Sequence, residues 1–227
     1  MTWIDLGNPR PLDIPIPYHP LEWLAAEVIK LPVPGELRKC DFFEVLEGRR
    51  SRRVFDKISM NQIADLLWYC CRIQRNKHAD FGFPLSIRSY PSAGSIHPIH
   101  VLINWPSQEG WLRYDPLEHA LIVIPNSQSN ATATRVAVDS VVSSENGAII
   151  MLLAEPGKTF SKYVDANSLL WRDAGVLLGY LSLIAQALKL SFCPLGVTGE
   201  PWASQLDKQG RLVGVGMSVV STSAPLL

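Results

Sequence analysis

The residues of this chain that could do chemistry sit in a few short stretches. Gly48-Arg49-Arg50-Ser51-Arg52-Arg53-Val54-Phe55 gathers four guanidinium groups around one hydroxyl, a set able to close on a phosphate through charge-assisted hydrogen bonds. Arg88-Ser89-Tyr90-Pro91-Ser92-Ala93-Gly94-Ser95-Ile96-His97-Pro98 places small residues between prolines. Such a loop is stiff, and its backbone and the Ser92 hydroxyl can lie flat against a planar ligand. Phe192-Cys193-Pro194-Leu195-Gly196-Val197 offers a backbone amide beside a glycine, able to reach a ring nitrogen or carbonyl. Lys162-Tyr163 sets an amine next to a phenol. Read singly, these are also a solvated basic turn, a tight turn and a surface lysine beside a core tyrosine. Their order along the chain is what makes them informative.

Other motifs fall short of their chemistry. Gly157-Lys158-Thr159 ends like a nucleotide-binding P-loop, but Leu152 stands where the leading glycine must make the tight turn. Gly214-Val215-Gly216 lacks a third glycine and opens no visible helix, so it is no dinucleotide fingerprint. His97 and His100 are spaced like helical metal ligands, but Pro98 between them makes the segment extended. No Gly-x-Ser-x-Gly elbow is present, and Asn130-Ala131-Thr132 is a glycosylation sequon by pattern alone.

The elements that must position these stretches follow from periodicity. Residues 1–18 are proline-rich and suit an extended arm wrapped over a body or a partner. Pro20 can occupy a first helical position, and Leu-Glu-Trp-Leu-Ala-Ala-Glu-Val-Ile-Lys-Leu after it predicts a helix. A short helix is expected from Asp41. A stronger one follows Ser59, with Ile63, Leu66, Leu67 and Cys70 on one face. Strands are predicted at 99–105, 111–115 and 120–124 as a meander, and again at 147–154 and 212–220, with a helix near 133–142. The longest helix is expected over 167–190, with Gly175 and Gly179 leaving room for a helix or a ligand. Helices and strands without regular βαβ spacing predict an α+β fold, a mixed sheet with helices packed on it. The expected organisation is an arm and helix over 1–40, one domain over 41–220 and a tail over 221–227.

Composition excludes several functions. Lys and Arg total 21, as do Asp and Glu, so the 227-residue chain has no net charge to draw it to nucleic acid or an anionic membrane. The N-terminal residues show no basic region followed by an apolar run, and no stretch reads as a membrane span, so a cytoplasmic location is expected. Cys40, Cys70, Cys71 and Cys193 lack CxxC spacing, which predicts reduced, mostly buried thiols and no bound metal.

Arg-x-Ser-x-Arg-x-Phe over 49–55, then an apolar helix, then Pro-Ser-Ala-Gly-x-x-x-Pro over 91–98, resembles the nitroreductase superfamily of FMN enzymes, over roughly residues 42–217. The Pro-Ser-Ala-Gly loop is most similar to the branch that oxidises thiazolines and oxazolines in ribosomal peptides, the azoline dehydrogenase or streptolysin-maturation type. The resemblance implies a largely antiparallel sheet flanked by helices with a long central helix, and a homodimer that builds its flavin site from two subunits. It implies that Arg49, Ser51 and Arg53 hold the FMN phosphate and ribityl chain, with Arg50 assisting through its backbone. Pro91, Ser92, Ala93, Gly94 and Ser95 would border the isoalloxazine, with His97 nearby, while Leu195, Gly196 and Val197 match the segment donating a backbone N–H near flavin N5. Lys162 and Tyr163 resemble that branch's acid–base pair, suited to a reaction that sends a hydride to flavin and a proton to a base. The chain departs from the pattern at Asp173, where glutamate is common, and at Val176, where histidine is frequent. Met217-Ser218-Val219 also offers no basic residue after the last strand, leaving the phosphate to the first motif. The implied function is azoline oxidation in a modified peptide supplied by a cyclising partner enzyme. The alternatives are an NAD(P)H-dependent nitro or quinone reductase and a flavin-fold scaffold without catalysis.

Overall fold

The computed structural model describes residues 3–24, 27–36, 39–79 and 81–223. In chain order the strands are β1 (Arg10–Pro11), β2 (Val28–Lys30), β3 (Phe55–Asp56), β4 (Arg75–Lys77), β5 (Leu85–Ile87), β6 (Ile99–Asn104), β7 (Leu112–Asp115), β8 (Ala120–Val123), β9 (Ala148–Ala154), β10 (Tyr163–Val164), β11 (Leu190–Leu195) and β12 (Val213–Ser223). The helices are α1 (Phe42–Gly48), α2 (Met60–Cys71), α3 (Gln128–Asp139), α4 (Pro156–Phe160), α5 (Asn167–Ala187) and α6 (Trp202–Gln205). The main sheet has eight strands in the order β11-β12-β9-β6-β7-β8-β2, with β3 pairing the end of β12. Its neighbours are all antiparallel. This is the α+β architecture expected, with the sheet between two layers of helix.

Alternation along β9 shows how the layers are specified. Ala148, Ile150, Leu152 and Ala154 enter one core with Leu66 and Leu67 of α2 and Leu177 and Leu181 of α5. Ile149, Met151 and Leu153 enter a second core on the opposite face with Ala131 and Val138 of α3 and Ala203 of α6. A strand apolar on both faces is the signature of a fully buried central position. Helix α2 starts where Ser59 and Gln62 form a reciprocal capping box. Helix α5 is, among the described residues, the one helix long and apolar enough to cross a membrane. Leu170, Ala174, Leu177, Leu181 and Ala185 sit in the first core, so packing against the sheet accounts for its apolarity.

Several expectations are corrected. The predicted helix after Pro20 is absent from its described part: residues 21–24 are irregular and Val28–Lys30 forms β2, pairing with β8. Ala25 and Ala26 lie outside the described residues. Helix α3 begins at Gln128, well before 133, because two polar residues of its first turns, Asn130 and Thr134, are buried as hydrogen-bonding groups. There Asn130 accepts from Trp111 Nε1 at 2.9 Å and Thr134 donates to Asn130 O at 2.8 Å. Helix α5 stops at Ala187, and after Lys189, at φ 57°, the chain turns into β11, a strand the periodicity did not show. Strand β12 continues to Ser223, past the expected start of the tail, whose residues 224–227 lie outside the described ones. Gly175 and Gly179 have nothing within 4 Å of where a Cβ would stand, so they pack against no other element of this chain. Three of the four thiols are buried, and Cys40 is exposed.

Candidate active site

The Pro91–Pro98 loop is held by a carboxylate from the middle of the chain. Asp173, on α5 and 6% exposed, accepts the Ser92 hydroxyl at 2.6 Å and the Ala93 N–H at 3.2 Å. Ser92 Oγ in turn accepts the His97 N–H at 3.0 Å. These bonds fix a backbone in which Gly94, Ser95 and His97 have φ of 62°, 60° and 48°, values that L-residues rarely adopt without support. Burial pushes the Asp173 carboxyl above its ordinary range, and the bonds from Ser92 and Ala93 hold it back.

Lys162 and Tyr163 converge on this loop. A Cβ built on Gly94 would stand 2.8 Å from Tyr163 Oη and 2.9 Å from Lys162 Nζ, so amine, phenol and loop backbone meet at one point that glycine leaves open. The N-terminal arm pins the pair. Leu12 N–H donates to Lys162 O at 2.8 Å, Ile16 N–H to Ser161 O at 2.8 Å, and Pro11 pairs with Tyr163 across β1 and β10. Burial, with the Asp173 charge adding to it, raises the Tyr163 pKa, so the phenol keeps its proton and can donate.

The first motif lies against β11. Arg52 N–H donates to Phe192 O at 3.1 Å, and Arg52 Nε is buried without a partner. Arg53 hydrogen-bonds the Cys193 thiol, opposing a burial effect that raises the thiol pKa. Arg50 folds back to donate to Glu47 O at 2.7 Å and Arg49 O at 2.8 Å, bonding the last carbonyls of α1. Among the described residues no carboxylate forms an ion pair with Arg49, Arg50 or Arg53, and Ser51 is exposed beside them. A cluster of cations with no counter-ion among the described residues fits a dianionic phosphate. Leu195 ends that strand and Gly196 and Val197 follow it, with nothing within 4 Å of the Cβ position of Gly196.

The structure therefore forms two groups, not one. The Arg49–Arg53 stretch joins β11 through the Arg52 N–H, Leu195 to Val197 lie at the end of that strand, and Gly48 abuts Gln186 near the C-terminal end of α5. The loop, Lys162 and Tyr163 gather around Asp173, thirteen residues earlier on the same helix, a separation of about 20 Å at helical rise. His97 belongs to neither surface: its ring is 5% exposed and stands edge-on to Tyr90 at 4.8 Å. Asp173, seen in the sequence only as a departure from a glutamate, is the residue that composition could not place. Its partners lie 80 and 81 positions away.

The site thus sits on an α+β sandwich and combines an arginine-rich turn with a hydrogen-bonded small-residue loop. The chain belongs to the nitroreductase family, whose model matches residues 46–209. Among solved structures it is similar to a protein of Ralstonia eutropha JMP134 described as a nitroreductase. That likeness has 19% identity and a TM-score of 0.68, over 97% of this chain and 100% of the other. A chain of the Escherichia coli microcin synthetase McbBCD complex, with truncated pro-MccB17 bound, is similar at 18% identity and a TM-score of 0.55, over 86% and 77%. A protein of Desulfovibrio desulfuricans in complex with FMN matches at 16% identity and a TM-score of 0.51, over 84% and 93%. These likenesses describe the fold. No curated protein matches the chain by sequence.

Proposed function

We propose that this chain is an FMN-dependent dehydrogenase, working as a homodimer, that oxidises azoline rings in a modified peptide supplied by a cyclising partner enzyme. The observation that carries the reading is the meeting of Lys162 Nζ and Tyr163 Oη at Gly94. Aromatising an azoline requires a base for the ring proton and an acceptor for the hydride. Bound FMN supplies the hydride acceptor. Lys162 takes the proton, and Tyr163, kept protonated by burial, orients the ring heteroatom by donating to it. The Pro91–Ser95 backbone, fixed by Asp173, would border the flavin ring, with His97 bracing the loop through its backbone N–H. Arg49, Ser51 and Arg53, with Arg50 beside them, would hold the phosphate, and the Leu195–Val197 backbone would lie at the flavin edge. That one fold neighbour carries FMN and another belongs to a microcin synthetase complex agrees with this reading, which rests on the motifs.

The separation of the two groups supports the dimer. With the phosphate grip and the proton pair at opposite ends of α5, a second copy can bring its loop to the first copy's arginines. Trp171, Gly175 and Gly179 recur at four-residue spacing on α5, and all are exposed. Phe42 and Phe43 on α1 are 58% and 73% exposed, beside the first motif. A surface of that kind is what a partner covers.

Family membership serves equally a NAD(P)H-dependent nitro or quinone reductase in which Lys162 and Tyr163 are incidental. The deciding experiment starts with the visible spectrum of the purified protein and identification of any released chromophore. Lys162→Gln and Tyr163→Phe are then assayed for azoline oxidation and for NADPH-driven reduction of nitro compounds. Loss of the first with retention of the second is expected. Unchanged azoline oxidation, or a colourless protein that takes up no FMN, overturns the reading.

A further inference from the structure

Behind the Pro91–Pro98 loop the sheet opens. Strands β6 and β7 pair only at Leu102↔Arg113 and Ile103↔Leu112, so Ile99 to Val101 face a gap, and a cavity of about 110 Å³ occupies it. Its wall carries Arg88, Arg113, Lys158, His97 and His100. Among the described residues one carboxylate contacts these cations, Glu155 at Lys158, and it is already saturated. Glu155 accepts from Tyr18 Oη at 2.9 Å, contacts His100 Nε2 at 2.9 Å and Lys158 Nζ at 3.1 Å, and also accepts from the backbone N–H of Leu21. Burial raises its pKa, but those partners outweigh it and hold the carboxyl down at about 2. Arg88 has two neutral partners, Ser86 Oγ at 3.1 Å and Tyr90 Oη at 3.5 Å. Arg113 lies over the Trp23 ring at 5.3 Å, with Asp115 the other charge acting on it, and its Nε is buried without a hydrogen bond.

Enclosing cations with too few anions is costly unless a counter-ion completes the site. The space, equal to about four waters at ~30 Å³ each, is the size of one small oxyanion. His97 adds a clue to its kind. Burial and the nearby Arg88 charge push its pKa down to about 3, and a backbone hydrogen bond at Ser86 holds one ring nitrogen. A neutral ring gives that carbonyl its single N–H, so the partnerless Nδ1 carries a lone pair. That nitrogen calls for an anion that brings its own proton.

We propose that this cavity is a phosphate-binding site, separate from the first motif and independent of the flavin reading, in which Arg88, Arg113 and Lys158 take a hydrogen phosphate group. Occupancy would brace the loop from behind through His97. The test is calorimetric titration of the full-length protein with inorganic phosphate in oxyanion-free buffer. One-to-one binding is expected, weakened about tenfold or more in Arg113→Gln and in Arg88→Gln. Binding is expected to persist in the Arg49→Ala/Arg53→Ala double variant. Absence of binding to the unmodified protein overturns the proposal, as does binding that depends on Arg49 and Arg53 and survives Arg113→Gln. Competition by adenosine 2′-monophosphate identifies a phosphoryl group carried on a nucleotide, and failure to compete identifies the free ion.

Discussion

At the C-terminal end of α5 the arginines of the first motif have no carboxylate partner among the described residues, and are tied to the body mainly through the backbone of Arg52 and the Cys193 thiol. At its N-terminal half the Pro91–Pro98 loop is bound to itself and to Asp173, before any ligand arrives. On the proposed function, the first region keeps its strongest groups in reserve for a phosphate. The second spends its bonds on shape, so that Lys162 and Tyr163 have a fixed place to meet. Changes in the first region should therefore cost ligand affinity, whereas changes in the second should cost the fold itself.

The largest effect separating them is expected from Arg49→Ala with Arg53→Ala. Each charge-assisted bond to phosphate is worth roughly 1.5–3 kcal/mol, so FMN affinity should fall by about two to four orders of magnitude. Stability of the flavin-free protein should change by no more than about 1 kcal/mol, because Arg49 and Arg53 lie at the surface and the one side-chain bond at stake is that of Arg53 to the Cys193 thiol. Flavin fluorescence titration and urea denaturation check the two halves. A large loss of stability without loss of FMN would show that these arginines are structural.

Asp173→Ala should behave in the opposite sense. Removing a buried acceptor leaves the Ser92 hydroxyl and Ala93 N–H unsatisfied, at a cost of about 2–4 kcal/mol to stability. FMN affinity should fall by less than in the arginine pair. Asp173→Asn keeps one acceptor oxygen and should recover part of the loss in the same urea series. If Asp173→Ala unfolds at the wild-type urea concentration, the loop is held by something other than this carboxylate.

The same contrast explains what could be read from the chain. The first motif and the loop were legible because their chemistry is local: arginines around a serine, small residues between prolines. Helix α2 announced itself through Ser59 and its apolar face, and β6 and β9 through their branched residues. The roles of Asp173 and Glu155 were not legible. Glu155 takes Tyr18 from 137 positions away and the Leu21 N–H from 134, contacts that no window of sequence displays. The segment after Pro20 failed differently. Its residues favour a helix by propensity, but Val28–Lys30 completes the sheet by pairing with β8, and pairing overrides a propensity worth tenths of a kcal/mol per residue.

Within the second region the smaller effect on the fold should fall on the point where that region turns into chemistry. At Gly94 an added methyl meets two costs of different kinds. The φ of 62° penalises any L-residue by about 1–2 kcal/mol. The contacts at 2.8 and 2.9 Å are with the tips of Tyr163 and Lys162, which can swing aside cheaply. Gly94→Ala should therefore lower stability by about 1 kcal/mol, while displacing the amine and phenol by a fraction of an ångström. A displacement on that scale slows a positioned proton transfer by about tenfold or more. Azoline turnover should thus fall more than stability, with KM and FMN affinity nearly unchanged. Were kcat to hold while stability dropped by several kcal/mol, Gly94 would be serving the turn alone, and the meeting of Lys162 and Tyr163 there would be packing.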